Sequence, residues 1–81
     1  MISYITVTKE QCRAARALLG WKLVDLAEAS HVTKNAIQQF ETGITNPRRV
    51  TLEALQRALE RAGVEFTNGN KPGVCLARPP S

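Results

Sequence analysis

Thr33, Lys34, Asn35, Gln38 and Gln39 place a hydroxyl, an ammonium and three carboxamides within seven consecutive positions. If this stretch is helical, Lys34, Asn35, Gln38 and Gln39 share one face, while Ile37 and Phe40 fall one helical step apart on the other. A carboxamide can bond adenine bidentately through N6 and N7, and a lysine can donate to guanine O6 or N7. Such a face has the chemistry to read base edges in the DNA major groove. Taken alone, the same residues would make an ordinary solvated surface, so the elements that hold them decide between the two.

Those elements lie between Trp21 and Glu41. From Leu23 to Ser30, the residues Leu23, Leu26, Ala27 and Ala29 or Ser30 sit at helical spacing. A second helix follows after His31 and Val32 alone. So short a turn crosses two helices steeply, with Ala27, Val32 and Ile37 at their contact. His31 is expected as a turn residue that tolerates a left-handed backbone, and Trp21 as a packing anchor.

The pattern Leu26-Ala27, Val32, Ile37, Phe40-Glu41, Gly43 and Pro47, preceded by Arg16 and Leu19-Gly20, resembles the helix-turn-helix of the phage repressor/Cro-like (XRE-type) family. The resemblance covers roughly Gln11 to Leu59. It implies a compact helical domain that binds operator DNA as a two-fold dimer. It also implies that Arg16 pairs with Glu41, tying the first helix to the third. On this basis Lys34, Asn35, Gln38 and Gln39 are expected to read bases. Lys22, Thr33, Thr42, Thr45, Arg48 and Arg49, with the backbone near Thr42 to Asn46, are expected on the DNA backbone. The chain departs from the family at Lys22 and Leu23, where many relatives carry a small hydroxyl residue and a Gln. Leu23 has no side-chain hydrogen bond to offer, so that contact would fall to Lys22.

Length and composition fit this reading. The chain of 81 residues is expected to be one domain spanning 1–81, and its formal charge of +4 suits a polyanionic partner. Cys12 and Cys75 form no CxxC motif, and there is a single His, so neither a zinc site nor any other cofactor is expected. The same scarcity of nucleophile and base constellations argues against an enzyme. No apolar run is long enough to span a bilayer and no signal peptide is evident, which makes a cytoplasmic setting the default.

Taken in order, residues 2–7 (ISYITV) favour a short strand or extended arm, placed over 2–6. Thr8 and Gln11 form a capping-box pair opening a helix over 9–19, with Gly20 as its C-cap. Cys12, Ala15 and Leu19 make its apolar stripe, and Ala14 and Leu18 a flank that needs another cover. Helices over 22–30 and 33–41 follow. Asn46-Pro47 then reads as the cap and first turn of a helix over 47–62, with Leu52, Leu55, Ala58 or Leu59, and Ala62 inward. Glu53–Arg57 is a favourable i,i+4 pair on its solvated face. Arg48 and Arg49 oppose the dipole of that helix, a mismatch that a bound phosphate would reconcile. Strands over 64–67 and 74–77 flank NGNKPG, and 78–81 is a frayed tail.

The expected fold is therefore mainly α: a four-helix repressor-like helix-turn-helix domain with a small C-terminal β-hairpin and a strand at the N-terminus. A two-stranded hairpin is marginal by itself. Its strands could fold back within one chain or pair between two, and the second arrangement is expected. It would place Ile2, Tyr4, Leu18, Val64, Phe66, Val74 and Leu76 at a homodimer contact. The expected function is that of a sequence-specific double-stranded DNA-binding transcriptional regulator, a dimeric repressor or autoregulator of a near-palindromic operator. The alternative is a protein-interaction module, such as an antitoxin or antiactivator, binding a regulatory protein partner through Leu23, Val24 and the C-terminal strands.

Overall fold

Thr8 starts the first helix by closing a reciprocal pair of bonds. Its Oγ1 accepts the Gln11 N–H at 3.1 Å, and Gln11 Oε1 accepts the Thr8 N–H at 3.0 Å. In the computed structural model, which describes residues 7–67 and 73–76, this opens α1 (Lys9–Leu19). There follow α2 (Leu23–Ser30), α3 (Lys34–Glu41), α4 (Arg49–Arg61), β1 (Val64–Thr67) and β2 (Gly73–Leu76). The architecture is four helices with a small antiparallel hairpin at the C-terminal end. The expected strand over 2–6, with Ile2 and Tyr4, lies outside the described residues, as do most of the NGNKPG turn and position 77.

The turn between α2 and α3 is held locally. His31 takes up the left-handed conformation at φ 62°, and its N–H returns to the Ala27 carbonyl at 2.9 Å. Ser30 Oγ donates to the Leu26 carbonyl at 2.7 Å and accepts the Val32 N–H at 3.3 Å. Below the turn, Leu26 and Ile37 are fully buried, joined by Cys12, Ala15, Leu55 and Leu59. Ala27 and Val32 are half-buried against this core, as is Trp21.

Two helix starts differ slightly from expectation and one differs more. Lys22 and Thr33 are N-caps rather than first-turn residues. The Lys22 N–H is satisfied by Asp25 Oδ2 at 2.8 Å, and Thr33 Oγ1 accepts the Ala36 N–H at 3.2 Å. Helix α4 begins only at Arg49, with Arg48 as an extended N-cap (ψ 157°) that makes no side-chain cap bond. The Asn46-Pro47 signal is not used: residues 45–48 are non-helical, and the cap falls on Arg48. On the solvated face Glu53 pairs with Arg49 (3.3 Å), one turn before the expected Arg57.

The hairpin forms within the chain. β1 and β2 pair antiparallel, Val64 opposite Leu76 and Phe66 opposite Val74. The sheet packs on α1 and α4 of its own chain. Val64 and Phe66 are only 3% and 7% exposed and belong to the chain's own core. Val74 and Leu76 are half-buried on the same cluster. A two-stranded sheet needs a cover for its apolar face, and the helices beside it supply one. Gln11 fixes the arrangement, its Nε2 donating to the Gly73 carbonyl at 3.1 Å. Of the flank on α1, Leu18 remains 43% exposed.

Candidate nucleic-acid interface

Helix α3 divides its two faces cleanly. Ile37 and Phe40 are buried, whereas Thr33, Lys34, Asn35, Gln38 and Gln39 are all exposed. No described protein group takes up the side-chain amides or the Lys34 ammonium, so their bonding capacity is turned to solvent. The Thr33 hydroxyl accepts the capping N–H and keeps its proton for an outside acceptor.

The face is oriented by an ion pair at the far end of the helix. Arg16 Nη2 donates to Glu41 Oε1 at 2.6 Å and Arg16 Nε to Glu41 Oε2 at 2.8 Å, a bidentate fork. Arg16 Nη1 reaches the Trp21 carbonyl at 3.1 Å, so one guanidinium ties α1, the entry to α2 and the end of α3 together. Glu41 is 5% exposed, and Cys12 Sγ donates to its Oε2 at 3.2 Å as a third partner. The hydrogen bond to Glu41 raises the Arg16 pKa, since it favours the charged form. Burial first, and the Glu41 charge next, push the Cys12 thiol far above the ordinary range. The sequence carries a signal for this third donor: Cys12 precedes Arg16 by four positions and so shares its face of α1.

The Cys12 shift sets an alkaline limit. A group whose folded pKa is raised contributes stability below its unfolded pKa and loses it as pH climbs toward the folded value. Above the free-thiol pKa of about 8.5 the unfolded chain releases a proton that the folded chain retains. Stability should therefore fall above about pH 9 by up to roughly 1.4 kcal/mol per pH unit from this group. Urea titrations of wild type and Cys12→Ala across that range test it, because the variant should show a shallower decline. Equal slopes would remove Cys12 as the cause.

The loop after α3 closes on the helix. The N–H groups of Thr42, Gly43, Ile44 and Thr45 all point back to carbonyls of α3, those of Ile44 and Thr45 both to Gln39. Thr42 Oγ1 likewise donates to the Gln38 carbonyl at 2.9 Å. A phosphate needs donors, so neither this stretch of backbone nor Thr42 offers one without giving up a helix-closing bond. Thr45, Lys22 and Arg48 are exposed and keep their polar groups outward. Arg49 lies beside Glu53, which partly offsets its charge at the start of α4. Among the described residues no group of three or more His, Cys, Asp or Glu could hold a metal ion, and no helix is long and apolar enough to cross a membrane.

Two helices across a tight turn, the second with a buried stripe and an unpaired polar face, are the working unit of a helix-turn-helix protein. The sequence agrees over most of its length, since the helix-turn-helix model matches residues 13–66. The chain belongs to the XRE-type helix-turn-helix family of DNA-binding regulators. No curated protein matches it.

Proposed function

We propose that this chain is a sequence-specific repressor or autoregulator that binds a near-palindromic operator as a homodimer, with α3 in the major groove of each half-site. One observation carries the reading: the outward face of α3 presents Lys34, Asn35, Gln38 and Gln39 with no described protein partner, while Ile37 and Phe40 lock its other face into the core. Asn35 and Gln39 bond adenine edges, Lys34 a guanine, and Gln38 extends the contact along the groove. Thr33, Lys22, Thr45, Arg48 and Arg49 fix the register on phosphates. A second copy docks on the flank of α1 bearing Leu18, beside Val74 and Leu76. That spaces the two recognition helices for half-sites about one helical turn apart. Selection of bound sites from random duplex DNA, with sizing of the free protein, tests the whole reading. Recovery of no preferred sequence would overturn it.

The exposed apolar side chains Val24 (45%), Ile44 (72%) and Val50 (69%) favour a second reading, in which the same fold binds a regulatory protein as an antitoxin or antiactivator does. Failure of the isolated chain to bind its own promoter would favour that alternative.

The phosphate contacts carry a prediction of their own. Arg48→Ala with Arg49→Ala should weaken binding to operator and random duplex alike, and lower the slope of log K against log salt by roughly 1–2. The effect on slope should come chiefly from Arg48, because Glu53 already accompanies Arg49. An unchanged slope in a salt titration would exclude both arginines from the interface.

A further inference from the structure

Gly43 ends α3 at φ +83°, a conformation that glycine adopts without steric cost. The Lys9 side chain ends at the same position. A Cβ built on Gly43 would lie 2.9 Å from the Nζ of Lys9, with the Lys9 Cδ and Cε at 3.8 and 3.9 Å. The first residue of α1 thus lays its ammonium beside Gly43 at the end of α3. Among the described residues no carboxylate pairs with that ammonium. Lys9, Gly43, Thr45 and Asn46 together line an open cleft of about 400 Å³, with Glu10 also on its rim.

The charge matters because the loop has none of its own. Gly43, Ile44, Thr45 and Asn46 carry no cation, and the N–H groups of residues 42–45 are turned back into α3. Glu10 lines the same cleft, so without Lys9 its charge would repel an anion there. We propose that Lys9 is a DNA-phosphate contact. Its ammonium, with the Thr45 hydroxyl and the Asn46 carboxamide, takes the phosphate that flanks the half-site at the C-terminal end of α3. The proposal rests on the reading that α3 enters the major groove. It makes the first turn of α1 part of the interface.

Duplex binding by the full chain, titrated with salt, tests this with Lys9→Gln, Lys9→Arg and Arg57→Gln. Arg57 is an exposed residue two turns into α4 and serves as the charge-matched control. Lys9→Gln should weaken operator and random duplex equally, by about three- to tenfold near 0.15 M salt, and reduce the slope magnitude by about 0.9, one phosphate contact. Lys9→Arg should restore both. A purely structural Lys9, acting only on the α3 terminus, would change the melting temperature and leave the slope alone. Wild-type binding with an unchanged Lys9→Gln slope, or a slope loss that Arg57→Gln reproduces, overturns the Lys9 contact and leaves the DNA reading intact. Absence of duplex binding by the wild type overturns that reading, and the Lys9 contact with it.

Discussion

Arg16→Ala should destabilise the protein by about 3–5 kcal/mol, the penalty for leaving a buried charge without its partner. Glu41→Ala should cost less, about 3 kcal/mol, at the low end of the range for breaking a buried pair. The asymmetry follows from exposure. Glu41 is 5% exposed and Arg16 19%, so an orphaned guanidinium can turn toward water while an orphaned carboxylate cannot. After Arg16→Ala, among the described residues only the Cys12 thiol would still donate to that carboxylate, and an S–H is a weak donor. The Trp21 carbonyl would lose its guanidinium partner as well. Urea unfolding of both single variants and the double variant measures this as a cycle. The double variant should be more stable than the sum of the singles implies, because removing both charges leaves none buried. Losses below about 1 kcal/mol for both singles would mean that the pair behaves like an exposed one and does not hold α3.

How much of this was legible in the sequence depends on whether the deciding interactions are local. The T-x-x-Q box, Gly20 and the 3.6-residue periodicity are local signals, and α1 starts and ends where they say. The division of α3 into a buried Ile37–Phe40 stripe and an exposed amide face follows from periodicity alone. Asn46-Pro47 is also a strong local signal, yet residues 45–48 are non-helical and α4 starts at Arg49. The hairpin was legible as a hairpin. Alternation showed that Val64 and Phe66 share a face, but period 2 says nothing about which surface covers that face. The answer, α1 and α4 of the same chain, depends on the long-range bond from Gln11 to Gly73 and on packing that no short window contains. Lys9 escaped for the same reason: nothing near it in sequence points to Gly43.

The second large effect lies on the DNA. Asn35→Ala and Gln39→Ala should each weaken operator binding by about 1–3 kcal/mol, the value of one bidentate base contact, and relax the base preference at one position. Binding to random duplex should hardly change, since phosphates supply that affinity and neither amide carries charge. Neither substitution should unfold the helix, because both side chains are exposed and alanine is the better helix former. The two positions are one turn apart on the same face, so they would read neighbouring bases and their losses need not add. Gel-shift titrations on the selected operator and on random DNA, with the double variant included, separate these terms. Gln38→Ala should show a loss of the same kind, since Gln38 shares the face and its backbone carbonyl, which holds Thr42, survives the substitution. A loss confined to the operator identifies α3 as the reading element. Equal losses on both DNAs would reduce its amides to a polar lining, and sequence choice would have to come from the shape of the duplex.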